Sequence, residues 1–180
     1  SMEFEQVLKS RRSIRKYKPG QSISKEMVEH LIEAAILAPS WKNSQTARYY
    51  TVITPEMVEK IRIQCLPEFN QNNSKNAQAL IVTAFEKNRS GFTRDGQAEN
   101  EVGNGWGCYD LGLQNENLVL KAAELGLGTL IMGIRDSENL RKILSIPDSQ
   151  EVVSVIAVGY PDIEPDMPKR KMPEDIVKFY

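Results

Sequence analysis

The chain has 180 residues, 41% hydrophobic and 26% charged, a composition typical of one folded globular domain. With 23 basic and 24 acidic residues its net charge is −1, so no overall field would attract nucleic acid or an anionic membrane. No apolar run is long enough to span a bilayer, no signal-peptide pattern is present, and the two cysteines lack metal-ligand spacing. We therefore expect a soluble cytoplasmic protein with reduced thiols.

The first half of the chain predicts three helices and two strands. The helices run from Phe4 through Leu8, from a Ser24 cap to Pro39, and from a Thr54 cap through Ile61. The strands cover 49–53 and 79–85, and the second is apolar throughout, as expected of a strand buried on both faces. A polar loop over 40–45 separates the second helix from the first strand.

The second half begins with a polar, glycine-rich stretch over 86–107, which is long for a loop and therefore expected to be functional or mobile. The elements predicted after it are a long helix over 109–125, a strand over 129–132, a helix capped by Ser137 that runs through Leu144, and a strand over 152–158. From about 161 the chain is rich in proline and charge and predicts an extended tail. This order of elements fits a layered domain of helices and strands.

The segment Arg11-Arg12-Ser13-Ile14-Arg15 is the strongest chemical signal in the chain. Guanidinium forks and a hydroxyl are donors that suit phosphate oxygens, so the segment is a candidate anion site, with a solvated basic patch as the alternative. The glycine pairs at 103–105 and 126–128 fit neither the dinucleotide fingerprint nor the P-loop. His30 is the only histidine and lies in a helical pattern, where we expect it at the surface.

Four motifs together resemble the nitroreductase-like flavoprotein family over nearly the whole chain. They are the cluster 11–15, Ala38-Pro39-Ser40 followed by Asn43-Ser44-Gln45, Leu125-Gly126-Leu127-Gly128-Thr129, and Pro168-Lys169-Arg170-Lys171-Met172-Pro173. The resemblance implies an α+β layered sandwich with a mixed, mainly antiparallel sheet flanked by helices. It implies one domain over 2–180 in an intertwined homodimer, with the tail from about 161 extended over the partner. It also implies bound FMN, which NADH or NADPH reduces and a small second substrate reoxidises in a ping-pong cycle.

The same resemblance implies roles for particular residues. Arg11, Arg12 and Ser13 hold the FMN phosphate and ribityl chain, and Arg15 lies beside N1 and O2 of the ring, where a cation stabilises the charge that reduction adds. The other residues expected at the cofactor are Pro39, Ser40, Trp41, Asn43 and Gln45 from the second subunit, Asn70 and Asn73, the backbone near Met132 and Gly133 at flavin N5, and Lys169, Arg170 and Lys171. No metal and no catalytic side chain are expected, because the cofactor carries the chemistry.

Several of these assignments have an alternative. Met132 packs on the flavin ring or belongs to the core, and Trp106 and Tyr109 roof the site or belong to the core. The basic run 169–171 completes the phosphate site or is simply solvated. At Gln45-Thr46-Ala47-Arg48 the chain departs from many family members, which continue the glutamine with proline and an aromatic residue.

The expected function is FMN-dependent, NAD(P)H-driven reduction of nitroaromatics, quinones or related small electrophiles. Within the stretch over 86–107, the loop over 88–103 is expected to shape access for the second substrate. The sequence leaves open the physiological acceptor and the choice between NADH and NADPH. A flavin-binding carrier or sensor without efficient turnover, and an unrelated anion-binding domain, are the alternative functions.

Overall fold

A computed structural model of the chain describes residues 3–180, so the predicted domain start at Met2 lies outside the described residues. The helices within this range are α1 (Phe4–Ser10), α2 (Lys25–Ile36), α3 (Pro55–Cys65), α4 (Glu68–Asn73), α5 (Gly105–Glu124), α6 (Ser137–Leu144) and α7 (Pro173–Ile176). The strands are β1 (Ala47–Val52), β2 (Ala79–Glu86), β3 (Gly128–Met132) and β4 (Gln150–Gly159).

The four strands form one sheet in the order β1-β2-β4-β3, and each neighbouring pair is antiparallel. The central strand β2 is buried from Ala79 through Phe85, which confirms the interpretation of its continuous apolar sequence. β1 and β3 are the two edges of the sheet. The predicted α+β class with a mainly antiparallel sheet is confirmed.

Helices cover both faces of the sheet, because successive side chains of a strand point to opposite sides. Ile81 and Ile156 pack with apolar residues of α2 and α5 on one face. Leu80 and Val155 pack with residues of α3 and α6 on the other. The long helix α5 is therefore a core element of one layer, as its apolar sequence predicted.

The observed starts of the helices agree with some of the predicted N-caps and differ from others. The Ser24 and Thr54 hydroxyls accept hydrogen bonds from the N–H groups three residues later, at 3.1 and 3.4 Å, so both predicted caps are confirmed. The predicted cap at Ser137 is wrong: the Asp136 carboxylate accepts from the Asn139 N–H at 3.0 Å instead. Helix α4 was not predicted, and α5 begins at Gly105, four residues earlier than expected.

The structure also bears on the predictions for membrane-spanning segments, the cysteines and His30. None of the helices within 3–180 is long and apolar enough to cross a lipid bilayer. Cys65 is buried and Cys108 exposed, and both are free thiols. His30 is exposed on α2, as predicted.

Candidate functional site

The cation cluster 11–15 lies beside the edge strand β3. Ser13 forms a parallel bridge with Thr129, and the Ile14 N–H donates to the Thr129 carbonyl at 2.9 Å. Ile14 is buried and anchors the segment. Gly128 permits this close approach, because a Cβ there would lie 2.8 Å from Ile14 Cγ1. The first and third predicted motifs are therefore neighbours in space.

A pocket of about 460 Å³ opens at one end of the cluster, between the ends of α1 and α5 and the beginning of the tail. Arg12 donates through Nη1 to the carbonyls of Lys9 (2.6 Å) and Arg11 (2.9 Å), and through Nε to that of Pro165 (3.3 Å). Arg11 also lines the pocket, and within residues 3–180 its guanidinium has no hydrogen-bond or ion-pair partner. Both arginines reach the predicted anion site, but only Arg11 has its whole donor fork available for a ligand.

Arg15 lies farther along the same edge of the sheet. Since Ser13 is opposite Thr129 in a parallel bridge, Arg15 is level with Ile131, just before the end of β3. Its side chain is exposed and close to Tyr17. Burial raises the pKa of Tyr17 above its ordinary value, and the Arg15 charge opposes that rise. The cluster thus extends from the pocket towards the chain segment that follows β3.

Beyond β3 the chain leaves the sheet at Gly133 and Ile134. The Met132 side chain is 2% exposed and belongs to the core, so it is not available to pack on a ligand ring. Gly133 is exposed, with no atom within 4 Å of the position that a Cβ would occupy. Asn70 is buried, and its Nδ2 donates to the Ile134 carbonyl at 3.0 Å, so it holds this segment in place. Asn73, at the end of α4, is half-buried.

The loop 39–45, here called the amide loop, follows α2 and precedes β1. It contains a 3₁₀ turn and three left-handed residues: Lys42 (φ 47°), Asn43 (φ 53°) and Gln45 (φ 51°). Non-glycine residues rarely adopt positive φ, so the surrounding contacts must hold the loop in this shape. The Trp41 N–H donates to the buried Asp110 carboxylate at 3.0 Å, and the Gln45 N–H donates to Ser40 Oγ at 3.2 Å.

Hydroxyl groups join the amide loop to the stretch over 87–104, here called the access loop. Ser90 Oγ lies 2.7 Å from Ser44 Oγ and 3.1 Å from Thr46 Oγ1. The access loop also bonds to itself, with the Glu99 N–H donating to the Gly91 carbonyl at 2.8 Å. It is therefore a compact hairpin that is hydrogen-bonded to the amide loop.

An aromatic cluster lies where these two loops meet the start of α5. The ring of Trp106 is 4.9 Å from that of Trp41 and 5.4 Å from that of Tyr109. Trp106 Nε1 donates to Asn100 Oδ1 at 2.8 Å, which ties the access loop to α5. Trp106 is half-buried and Tyr109 exposed, so the cluster forms part of the surface around the amide loop rather than the central core.

The amide loop and the cation cluster lie at opposite edges of the sheet. The amide loop leads into β1, whereas the cluster runs beside β3, and β2 and β4 separate these two strands. Three strand spacings of about 4.8 Å place the edges about 14 Å apart. One chain therefore does not bring these two sets of predicted residues into a single pocket.

The tail supplies only part of what was predicted for the phosphate site. Its first residues, through Pro165, line the pocket at Arg11. Lys169, Arg170 and Lys171 are exposed beyond that lining, and Arg170 Nη1 donates to the Pro168 carbonyl of the same tail at 3.0 Å. Within one chain the basic run does not complete the pocket.

Comparison with known proteins identifies the family. Residues 8–160 match the model described as Nitroreductase family. The chain belongs to the nitroreductase family. A putative NADH dehydrogenase/NAD(P)H nitroreductase of Archaeoglobus fulgidus is 33% identical over 169 residues, covering 89% of this chain and 86% of the relative. A protein of the same description from Methanothermobacter thermautotrophicus is 28% identical over 170 residues, covering 91% and 80%.

Solved nitroreductase-family structures share the fold. A nitroreductase family protein from Streptococcus pneumoniae superposes with a TM-score of 0.83 at 21% identity, covering 99% of this chain and 100% of the other. A putative nitroreductase from Desulfovibrio desulfuricans, solved in complex with FMN, superposes with a TM-score of 0.79 at 23% identity, covering 100% and 98%.

Some residues that hold this candidate site together were not singled out from the sequence. Asp110 anchors the amide loop, and Ser90 joins the two loops. The sequence does mark Asp110, because Asp110 and Gln114 are polar and lie one helical turn apart on the mostly apolar α5. Ser90 carried no such signal, since a serine in a polar loop is ordinary.

Proposed function

We propose that this nitroreductase-family chain is an FMN-dependent NAD(P)H oxidoreductase that reduces nitroaromatics, quinones or related small electrophiles by ping-pong hydride transfer. The observation that carries the proposal is the course of segment 11–15 along β3. It places the unpaired guanidinium of Arg11 at the pocket and Arg15 near the end of the strand. These positions suit the two ends of FMN, an anionic phosphate and a ring that gains negative charge on reduction.

Family membership makes the chain an oxidoreductase, and the names of its relatives include NAD(P)H nitroreductase and NADPH-dependent oxidoreductase. The residues present fit FMN, because Arg11 offers a free donor fork and Gly133 leaves its backbone open to a ligand. When bound, FMN accepts a hydride from NADH or NADPH and passes it to the second substrate.

The residues around the cofactor have distinct tasks in this proposal. Arg11 and Ser13 bind the phosphate and ribityl end, while Arg12 fixes the pocket wall through its three carbonyl contacts. The Arg15 charge stabilises negative charge at the N1 and O2 edge of the ring. The backbone N–H at Gly133 would serve as a donor to the bound flavin ring, in a segment whose position Asn70 holds.

The same proposal requires two copies of the chain. Since the amide loop and the cation cluster lie at opposite sheet edges, the Ser40, Asn43 and Gln45 side chains reach a flavin held by the partner. Large apolar side chains that are exposed in a single chain offer a surface for that partner to cover: Phe4 (70%), Leu37 (83%) and Phe179 (94%). The tail, with Lys169, Arg170 and Lys171, extends over the partner and completes its phosphate site.

Spectroscopy and anaerobic kinetics test the function. Purified protein should be yellow, release FMN on denaturation, and lose the oxidised flavin absorbance when mixed with NADH or NADPH. A panel of nitroaromatics and quinones should then reoxidise it. Colourless protein that cannot be reconstituted with FMN would reject the proposal. Flavin that stays oxidised under excess NADH and NADPH would favour the carrier or sensor function.

A further inference from the structure

Two arginines donate hydrogen bonds to the short segment 44–47 at the end of the amide loop. Arg48 Nη1 donates to the carbonyls of Gln45 (2.9 Å) and Ala47 (2.8 Å). Arg89, from the access loop, places its Nη2 3.5 Å from the Ser44 carbonyl. Segment 44–47 is thus flanked by two guanidinium groups, one on its own strand and one on the neighbouring loop.

These two cations are not neutralised by the protein. Nearby, Lys42 pairs with Glu99 at 2.9 Å, so its charge is compensated. Neither Arg48 nor Arg89 forms an ion pair with any carboxylate in the described part of the chain. Arg89 is exposed and Arg48 is half-buried. Arg48 uses one nitrogen on two carbonyls and Arg89 uses one nitrogen on a single carbonyl, so the other guanidinium nitrogens remain available.

The segment that these arginines flank has a fixed position. Ser90 holds Ser44 and Thr46 from the access loop, and the Glu86 N–H donates to the Thr46 carbonyl at 2.9 Å. The backbone that the guanidinium groups contact is therefore held in place. This lowers the conformational entropy that would be lost when a ligand binds.

We propose that Arg48 and Arg89 form an oxyanion-binding rim at the substrate entrance, which selects a substrate carrying an additional phosphate or carboxylate over the counterpart that lacks this group. This inference rests on the proposed function, because the amide loop lies at the entrance only if its side chains face a flavin. Guanidinium groups suit both anions through charge-assisted hydrogen bonds. The oxyanion belongs either to the 2′-phosphate of NADPH or to an acidic group on the acceptor.

Matched substrate pairs distinguish these two sources. The holoenzyme and its Arg48→Gln and Arg89→Gln variants are assayed with NADPH against NADH, and with 4-nitrobenzoate against 4-nitrobenzamide. In each variant the kcat/KM preference for the more negatively charged member of one pair should fall about fivefold, mainly through KM, while the other pair is unaffected. The pair that responds identifies the anion. Calorimetric titration with 2′,5′-ADP and with benzoate gives a second readout that does not depend on turnover.

Lys142→Gln is the matched control, because it removes one exposed positive charge on α6, on the other layer of the fold. It should leave both preferences unchanged, so an equal change in this variant would overturn the proposal by showing a general effect of net charge. Unchanged preferences and unchanged anion affinity in both arginine variants, with normal FMN content and reduction, would overturn the oxyanion rim while leaving the proposed function intact. Protein that holds no FMN would overturn both.

Discussion

At the scale of single residues, the three arginines of the N-terminal cluster have different surroundings and should behave differently when replaced. Arg11→Ala removes the free donor fork of the pocket, so the FMN dissociation constant should rise about 10- to 100-fold, the value of a charge-assisted hydrogen bond. Arg15→Ala should retain more flavin but slow its reduction by NAD(P)H, since it removes charge stabilisation at the ring. Fluorescence titration of the apoprotein with FMN and anaerobic stopped-flow absorbance measure the two effects.

Lys16→Ala is the control for both substitutions. Lys16 is exposed and adjacent to Arg15, but in an extended segment its side chain points to the opposite side. This variant should bind FMN and be reduced like the parent. Equal FMN affinity in Arg11→Ala and the parent would contradict the assignment of Arg11 to the phosphate.

At the scale of elements, two glycines on α5 test how this helix packs on β2. A Cβ at Gly107 would collide with the ring of Phe85, which is 1% exposed, whereas a Cβ at Gly112 has no atom within 4 Å. Gly107→Ala should lower the free energy of unfolding by about 1–3 kcal/mol, because the packed core cannot absorb the methyl group. Gly112→Ala should leave it unchanged or raise it by up to about 1 kcal/mol, because alanine is the better helix former.

Denaturant unfolding followed by far-UV circular dichroism measures both free energies. Both substitutions replace glycine by alanine on the same helix. The contribution of helix propensity to the free energy of unfolding therefore appears in both variants and cancels in their difference. Equal destabilisation by the two substitutions would be inconsistent with the close contact between Gly107 and Phe85.

Elements with an apolar repeat could be predicted from the sequence, and elements held by polar tertiary contacts could not. Helix α2 and strand β2 follow directly from their hydrophobic patterns. Helix α4 has the sequence EFNQNN, with no apolar period, and is held by contacts such as Gln71 Nε2 to the Leu66 carbonyl at 2.8 Å. Helix propensity depends on the local sequence and therefore does not predict such tertiary contacts.

The same distinction holds for the candidate site. Its motifs could be recognised one by one, because each is a short run of unusual residues. That Ser13 bridges to Thr129, or that Arg12 Nε donates to the Pro165 carbonyl, depends on segments far apart in the chain. The sequence therefore identifies candidate site residues, and the structure shows which of their hydrogen-bond donors are already used within the chain.

At the scale of the whole molecule, the strand order separates the two sets of residues that we propose bind one flavin. A site shared between two chains can be tested by combining chains that are defective in different halves. One chain carries Arg11→Ala, and the other carries Asn43→Gly together with Gln45→Gly. Glycine removes the two amides while tolerating the positive φ that both positions require.

Each variant alone should bind FMN weakly, because every site in its homodimer contains one defective half. In a mixed dimer one site combines both defects, whereas the other combines two intact halves, so random mixing of equal amounts should restore about a quarter of the parental sites. Flavin absorbance per chain after co-expression measures this recovery, with each variant expressed alone as its control. If the amide loop served the flavin of its own chain, every chain would keep its own defect and mixing would restore nothing. Recovery near a quarter therefore requires the loop of one chain to face the cations of its partner.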